Sequence, residues 1–447
     1  MGGIPSPVTV STKLQKVAKL AREAPGMAIT SLSHHIDIDL LHEAYRLTRK
    51  DGAVGVDGQT AKDYEENLHE NLENLLNRFK SGSYKAPPVR RVYIPKADGT
   101  KTRPIGIPTF EDKVLQRAVT MLLEAVYEQD FLNCSYGFRP RRSAHQALEA
   151  FWKQSMRMHG GYVLEIDIQK YFDTIGHGHL RSFLNQRVRD GVIRRAIDKW
   201  LKAGVMEEGV LWNPETGSPQ GGVVSPILAN IYLHEVLDKW FELEVKPRLI
   251  GNAFLIRYAD DALLVFSSFR DAQRVMEVLP KRFGRYDLTL HPEKTKLVNF
   301  RRPGGGGEPD GAESLEKTFD LLGFTHFWGK SRKGQWTVKR KTAKDRFTRA
   351  LRKVSQWCRA NRHKPVSEQH GSLVRKLSGH DQYYGISGNY DALARFHEAV
   401  RESWRKWLNR RSQRARMHWD RFAKMLEYYP LPRPRVVHSI LQNAARP

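Results

Sequence analysis

Hydrophobic residues recur every three or four positions in several stretches of the chain, which is the spacing of one face of an α-helix. In the first stretch this face includes Leu40, Leu41, Tyr45 and Leu47. The helical spacing covers residues 36–85, 110–131 and 143–156. The N-terminal third of the protein is therefore predicted to be mainly helical.

A basic hairpin is predicted between the first and second helical stretches. Residues 89–94 and 101–107 each have the composition of a short strand, and the sequence Ala97-Asp98-Gly99 between them is typical of a turn. Five basic residues lie between Arg90 and Arg103 inclusive. We therefore expect a basic, finger-like hairpin at this place.

Acidic residues stand at the ends of apolar strands farther along the chain. The β-branched run before Asp167 predicts one strand, and the apolar residues 254–258 and 262–266 predict a hairpin around the Asp260-Asp261 pair. Desolvated carboxylates are costly unless they are paired or bound to a metal. A solvated acidic turn and a metal site are the two interpretations of this pattern.

A metal site at this place would suit nucleotidyl transfer, which needs oxygen ligands for two Mg²⁺ ions. Adjacent strand residues point to opposite sides, so Asp260 and Asp261 cannot ligate in the same way. We interpret Asp167 and Asp260 as bridging ligands and Asp261 as a supporting or peripheral one.

The charge balance indicates a polyanionic partner. The chain has 74 Lys and Arg against 49 Asp and Glu, a formal net charge of +25, with aromatic residues interleaved among the basic ones. Nucleic acid is the leading partner and an acidic membrane surface the competing one. No apolar run approaches the roughly 18 residues of a membrane span, and the N-terminus lacks an apolar signal core. We expect a soluble, cytoplasmic protein with no membrane association and no secretion signal.

The length of 447 residues predicts two or three packed units. The composition changes after about Lys339, because residues 341–447 contain 24 Lys and Arg but only 8 Asp and Glu. In this segment Trp404, Trp407 and Leu408 alternate with basic residues on a helical pattern. A separate basic helical domain is predicted there.

A series of short motifs resembles the reverse transcriptases encoded by bacterial and organellar group II introns, also called maturases. The motifs are VYIPKADG (92–99), RPIGIP (103–108), YGFRPRRS (136–143), IDIQKYFD (166–173), GSPQGGVVSPILAN (217–230), YADD (258–261), LHPEKTK (290–296) and LLGF (321–324). The segments GHDQYYG (379–385), WLNRRS (407–412) and LPRPR (431–435) resemble the thumb or maturase domain of the same family. The resemblance covers nearly the whole chain.

The resemblance implies an α+β, right-hand polymerase fold in three parts. Residues 1–160 are expected to form an N-terminal extension and fingers. Residues 161–338 are expected to form the palm, an antiparallel sheet with helices that holds the catalytic site, with some finger segments interleaved. Residues 339–447 are expected to form a basic helical thumb or maturase (X) domain.

The implied activity is RNA-directed DNA polymerisation with two Mg²⁺ ions, Mn²⁺ being an alternative. The protein would use deoxynucleoside triphosphates, a primer and a target DNA, and it would bind its group II intron RNA to assist splicing and to copy that RNA during retrohoming. Two alternatives remain: a splicing cofactor that binds RNA without polymerase activity, and a free-standing reverse transcriptase in host repair or defence.

The resemblance also assigns roles to individual residues. The metal ligands are the side chains of Asp167, Asp260 and Asp261, which are also the catalytic residues, and the carbonyl of Ile168. The nucleotide contacts are Lys96 and Arg103 at the triphosphate, Phe172 as the gate against a ribose 2′-OH, and Gln220. The primer-holding residues are Leu321, Leu322, Gly323 and Phe324. The residues predicted to contact RNA are Arg139, Arg141, Arg142, Lys341, Lys344, Arg405, Arg410, Arg411 and Arg414.

Two features fall outside this pattern. Many family members carry an endonuclease domain with His and Cys metal ligands, whereas no cysteine follows Cys358 here, so we expect no DNA cleavage. The Gly-rich residues 304–307 receive no role. The sequence leaves open the gene context, the DNA target, the primer source, the oligomeric state and the processivity.

Overall fold

The computed structural model describes residues 7–95, 102–207, 209–212, 217, 221–304, 311–412 and 417–439. The chain divides into two compact units. The first consists of Met1–Ala147 and Val163–Leu297, and the second of Leu148–Tyr162 and Val298–Pro447. The three-part division into fingers, palm and thumb is a functional assignment that this division does not test.

The helices of the first unit that overlap residues 36–85, 110–131 and 143–156 are those that the hydrophobic spacing predicts. In chain order, the helices of this unit are α1 (Pro7–Glu23), α2 (Ile38–Leu47), α3 (Ala61–Glu65), α4 (Leu68–Ser81), α5 (Phe110–Tyr127), α6 (Ala144–Met158, which continues into the second unit), α7 (Tyr171–Thr174), α8 (His177–Arg187), α9 (Gly191–Leu201), α10 (Ser225–Leu233) and α11 (Phe269–Gly284). Two π-helical segments, His234–Asp238 and Trp240–Val245, follow α10.

Side chains at the helix ends explain where several of these helices begin. Asp37 accepts a hydrogen bond from the Leu40 amide at the start of α2, and Thr60 and Asp63 form a reciprocal capping box at α3. Helix α5 lies in the core, packed by α1 and α2, because its apolar residues cover more than one face and many are fully buried.

Two sheets form the β part of the first unit. One contains β1 (Val89–Pro95), β2 (Thr102–Ile107), β4 (Val205–Glu207) and β5 (Val210–Trp212). Its strand order is β2-β1-β4-β5, and β1 is antiparallel to β2 and parallel to β4. The other has the order β6-β7-β3-β8 and contains β3 (Tyr162–Ile166), β6 (Ala253–Tyr258), β7 (Asp261–Phe266) and β8 (Lys296–Asn299). Both predicted hairpins, β1-β2 and β6-β7, are confirmed as antiparallel pairs.

The second unit has a small sheet and a helical part. Its sheet has the order β11-β10-β9, built from β9 (Phe319–Leu321), β10 (Phe324–Lys330) and β11 (Trp336–Thr342). Its further helices are α12 (Lys344–Ala360), α13 (Val366–Tyr384), α14 (Tyr390–Leu408) and α15 (Trp419–Tyr428). Trp404, which is fully buried, lies in the core of these helices together with Leu373, Phe396 and Phe422.

The α+β class predicted from the sequence is confirmed, with mainly antiparallel sheets and many helices. The basic C-terminal segment is helical, as its spacing predicts. In the part of the chain that the structure describes, no helix is both long enough and apolar enough to span a bilayer.

Candidate active site

The acidic hairpin places its carboxylates at a tight turn. Strands β6 and β7 pair as far as Tyr258 and Asp261, so Ala259 and Asp260 form the two-residue turn between them. Ala259 has a φ of 57°, a left-handed conformation that costs a residue with a side chain about 1–2 kcal/mol. Asp260 is half-buried and Asp261 is exposed at the first position of β7. The surrounding structure must therefore hold the turn in this conformation.

Asp167 lies directly after β3 and is held by the segment that contains the LHPEKTK motif. Ile168 forms an isolated antiparallel bridge with Leu290. The amide of His291 donates to the carbonyl of Asp167 at 2.8 Å, and Nζ of Lys294 lies 3.4 Å from its carboxylate. Because the bonds of this bridge come from the residues that flank Ile168, the Ile168 carbonyl points away from the bridge. The metal-ligand role of that carbonyl stays a prediction.

The electrostatics of Asp260 reveal which predicted residues the fold brings together. Burial raises the pKa of Asp260 above its usual value, and the negative charge of Asp167 raises it as well. The positive charges of Arg103, on β2, and Arg257 act in the opposite direction. Asp167, Asp260 and Arg103 therefore lie close enough to interact electrostatically, although they come from separate parts of the sequence.

The site offers a cation a limited set of acidic ligands. Within the described ranges, no group of three or more His, Cys, Asp and Glu side chains is arranged to hold a metal ion. The negative charge of Asp167 opposes the ionisation of Asp260, and carboxylate and carbonyl oxygens are the kind of ligand that a hard cation prefers. The ligand role of Asp261 stays a prediction.

A buried ion pair supports the acidic turn. Arg257 and Asp238 both have fully buried side chains, and two guanidinium nitrogens of Arg257 lie 2.7 Å from the Asp238 carboxylate. Nη1 of Arg257 also donates to Oδ1 of Asn230 and to the carbonyl of Ala259, each at 2.9 Å. One side chain thus connects the strained residue of the turn to the core.

The same cluster explains the glycine of the YGFRPRRS motif. Nδ2 of Asn230 donates to the carbonyl of Gly137 at 2.7 Å. A Cβ atom added to Gly137 would lie 2.3 Å from the amide nitrogen of Ala259, so only glycine permits this approach. The sequence pattern did not predict the supporting roles of Arg257, Asp238 and Asn230. An arginine within the apolar run of β6 was the available signal, because a buried charge needs a partner.

Glycines connect the predicted nucleotide-gate residue to the basic hairpin. The amide of Gly217 donates to the carbonyl of Ile175 at 3.0 Å, and an added Cβ would lie 2.9 Å from the carbonyl oxygen of Phe172. A Cβ added to Gly221 would lie 2.5 Å from the carbonyl oxygen of Gly106 on β2. Both glycines have positive φ. The Gly-rich motif therefore begins beside Phe172 and reaches the strand that carries Arg103.

Some of the predicted site residues cannot be placed. Lys96, Gln220 and Arg414 lie outside the described residues, as do residues 305–307 of the Gly-rich loop. Their roles stay predictions from the sequence.

The predicted RNA contacts of the first unit differ in their surroundings. Arg139 is buried. Its guanidinium lies 3.0 Å from the Glu128 carboxylate and donates to the carbonyls of Leu132 and Ser135. Because these bonds occupy the guanidinium, we leave Arg139 out of the proposed RNA surface. Arg141 is exposed and Arg142 is half-buried.

The predicted RNA contacts of the second unit lie partly on aromatic rings. The guanidinium carbon of Arg405 is 3.9 Å from the ring centroid of Trp419, and that of Arg410 is 5.5 Å from Trp407. Arg411 donates to the carbonyl of Arg362. Lys341, Lys344 and Arg410 are exposed. Arg410 is both exposed and close to a ring, an arrangement that suits nucleic acid, whereas Arg405 and Arg411 are half-buried. The RNA contacts at all these positions stay predictions.

The predicted primer-holding residues form the turn between β9 and β10 in the second unit. Leu321 pairs with Phe324, which leaves Leu322 and Gly323 as the two-residue turn. Their φ values are 50° and 80°. Positive φ at both central positions is the pattern of a type I′ hairpin turn, in which Leu is an unusual residue.

The α+β fold and the acidic hairpin suit a polymerase, and comparison with known proteins shows the family of the chain. Residues 94–326, just over half of the chain, match the family described as reverse transcriptase (RNA-dependent DNA polymerase). The chain therefore belongs to the reverse transcriptase family. The match includes the acidic hairpin, Asp167 and the basic strand β2.

Several individual proteins are similar to the chain, and the names of two of them refer to introns. The group II intron-encoded protein LtrA of Lactococcus lactis subsp. cremoris is 40% identical over 241 residues, which are 53% of this chain and 39% of that protein. Protein YkfC of Escherichia coli K12 is 38% identical over 328 residues, 64% of this chain and 84% of that protein. Nuclear intron maturase 3 of Arabidopsis thaliana mitochondria is 24% identical over 223 residues. The match to LtrA spans less than half of LtrA's length, but the resemblance to group II intron reverse transcriptases is confirmed.

Proposed function

We propose that this chain is the reverse transcriptase of a group II intron, which copies RNA into DNA and also binds its intron RNA to assist splicing. The observation that carries the proposal is the pairing of Asp167 with Asp260 beside Arg103 in a member of the reverse transcriptase family. The matches to LtrA and to an intron maturase support the connection with introns.

The proposed architecture is a right hand. The basic β1-β2 hairpin belongs to the fingers, the sheet with β3, β6 and β7 to the palm, and helices α12 to α15 to the thumb. The high positive charge of the thumb segment supports a role in holding RNA, the template and the primer.

In the palm, Asp167, Asp260 and the Ile168 carbonyl would hold two Mg²⁺ ions, with Asp261 as a further ligand or a support. When bound, the ions polarise the primer 3′-hydroxyl and neutralise the charge that develops on the triphosphate. The new bond joins the primer 3′-oxygen to the α-phosphorus of the nucleotide, and the bond to the departing pyrophosphate breaks. The protein residues contribute by fixing the positions of the reactants.

The remaining predicted contacts select and orient the nucleotide. Arg103, together with Lys96 of the same hairpin, would bind the phosphates, since a guanidinium matches phosphate oxygens in geometry and charge. The ring of Phe172 would exclude a ribose 2′-hydroxyl. Gln220, in the motif that begins beside Phe172, would lie at the nucleotide as well.

The test is primer extension by the full chain on an RNA template, with Asp260→Asn as the main variant. This change keeps the shape of the side chain but removes a metal-binding charge, so we expect extension to fall at least about 100-fold. Asp51→Asn is a matched control, because Asp51 is an exposed residue that pairs with Arg49, and it should extend normally. Equal activity of Asp260→Asn and wild type would refute the assignment.

A second measurement separates the intron-related role from polymerisation. Splicing of a group II intron RNA that carries this gene is compared with wild type and with Asp260→Asn. We expect both proteins to promote splicing, because RNA binding does not require the metal site. If the wild type binds RNA and promotes splicing but never extends a primer, the protein is an RNA-binding cofactor.

A further inference from the structure

The Leu322-Gly323 turn of the second unit is held in an unfavourable backbone conformation. Leu322 has a φ of 50°, which costs a residue with a Cβ atom about 1–2 kcal/mol. Residues persist in such conformations when the surrounding contacts determine them, and they are frequent where a ligand is held. The contacts that hold this turn therefore bear on its function.

The main contacts come from the end of helix α13. The hydroxyl of Tyr383 donates to the carbonyl of Leu322 at 2.9 Å. The ring of Phe324, at the end of the turn, stacks on Tyr383 with centroids 5.9 Å apart and lies 5.3 Å from Tyr384. A Cβ added to Gly323 would lie 3.3 Å from the hydroxyl oxygen of Tyr384. Both tyrosines belong to the GHDQYYG motif and enclose the turn.

A second set of bonds fixes the other side of the turn. The amide of Ala343, just after β11, donates to the carbonyl of Gly323 at 3.0 Å. Asn389 bonds to the amide and hydroxyl of Thr342 at 2.9 Å each, and its Nδ2 donates to the carbonyl of Tyr384 at 2.8 Å. Both carbonyl oxygens of the turn thus accept bonds from the protein. An anion that approached the turn would therefore meet carbonyl oxygens that already accept hydrogen bonds.

We propose that Tyr383 and Tyr384 are positioning residues, which hold the Leu322-Gly323 turn in the conformation that receives the sugar-phosphate backbone at the primer 3′ end. The proposal rests on the proposed polymerase function and extends it. The GHDQYYG motif then serves primer placement through the turn, and a displacement of α13 in the thumb would displace the primer.

The main variant is Tyr383→Phe, which removes the hydroxyl bond but keeps the ring that stacks on Phe324. Tyr390→Phe is the matched control, because Tyr390 is an exposed tyrosine of α14 in the same unit. Two properties of the full chain are measured: the affinity for a fluorescent DNA primer annealed to an RNA template, and steady-state primer extension. A structured RNA hairpin without a primer end serves as the third ligand.

We expect Tyr383→Phe to weaken primer–template binding and to raise the KM for primer–template roughly two- to tenfold, the equivalent of one ordinary hydrogen bond. The kcat and the affinity for the RNA hairpin should stay within about twofold of wild type, within the scatter of such mutational effects. Unchanged primer–template affinity and KM would overturn the proposal. An equal loss of affinity for the RNA hairpin would also overturn it, because the motif would then bind RNA directly.

A further variant distinguishes positioning from general stability. Glycine adopts positive φ at no steric cost, so Leu322→Gly should need the Tyr383 bond less. The effect of Tyr383→Phe on primer–template affinity should therefore shrink in the Leu322→Gly background, whereas independent, additive effects would contradict the proposal. The binding measurements do not depend on nucleotide incorporation. If wild type fails to extend primers, the proposed polymerase function fails while this test still gives an answer.

Discussion

The buried pair of Arg257 and Asp238 is the most informative place to perturb the acidic turn. Both side chains are completely buried and joined by two bonds of 2.7 Å. Arg257 is also bonded to the carbonyl of Ala259, whose left-handed conformation forms the turn. Replacing Arg257 with Met removes the support of the turn and leaves the Asp238 carboxylate buried without its partner.

These two effects have different magnitudes and can be separated. An uncompensated buried charge costs about 3–5 kcal/mol of folding free energy, a large part of the 5–15 kcal/mol that stabilises a typical domain. Loss of the charged hydrogen bond to the Ala259 carbonyl removes about 1.5–3 kcal/mol of the interaction free energy that holds the turn in its conformation. If that constraint serves catalysis, kcat should fall roughly 10- to 100-fold.

The assay compares Arg257→Met with the double variant Arg257→Met/Asp238→Leu by denaturant unfolding and by primer extension. The double variant removes both charges, so we expect it to recover most of the lost stability. Its kcat should stay low, because the bond to the Ala259 carbonyl is still absent. A double variant with both wild-type stability and wild-type kcat would refute the view that Arg257 positions the turn.

Three further predictions concern the turn and a buried histidine. Gly137→Ala should reduce kcat more than about tenfold, since the new Cβ would lie 2.3 Å from the Ala259 amide. The control is Gly178→Ala, where the added Cβ meets no atom within 4 Å. Equal kcat values for the two variants would contradict the prediction. Because burial raises the pKa of Asp260, protons should compete with Mg²⁺ at a higher pH than they do at an ordinary Asp. The half-saturating Mg²⁺ concentration should therefore rise as the pH falls toward the range in which carboxylates titrate, and a value that stays constant down to about pH 5 would oppose this. Burial lowers the pKa of His326 to about 3, so the folded state is most stable above pH 6.5 and loses stability as the pH falls toward 3. Relative to His326→Gln, wild type should lose about 2 kcal/mol of unfolding free energy between pH 8 and pH 5. Parallel pH profiles of the two proteins would exclude this effect of His326.

Much of the local structure was predictable because it depends on short-range patterns. The two apolar runs on either side of Asp260 predicted the β6-β7 hairpin, and the basic run with its turn residues predicted β1-β2. The 3- to 4-residue spacing predicted helices such as α5. In each case the residues that determine the element are neighbours in the sequence.

The roles of individual charged residues depended on contacts between distant segments. Arg139 was expected to contact RNA, but Glu128 and two carbonyls occupy its guanidinium. Nothing in the local pattern distinguishes such a buried arginine from an exposed one, since burial depends on what packs above it. The contacts of the GHDQYYG motif likewise depend on a distant segment, because its tyrosines contact the Leu322-Gly323 turn.

By itself, the sequence indicated many of the elements, a polyanionic partner and the candidate acids, because these follow from periodicity, charge and residue type. Only the tertiary structure decided that Asp167 and Arg103 lie close enough to Asp260 to alter its ionisation, and that Arg257, Asp238, Asn230 and Gly137 support the turn between them. Burial makes the difference: it creates the need for a partner at each charge, and the fold alone supplies that partner from a distant segment.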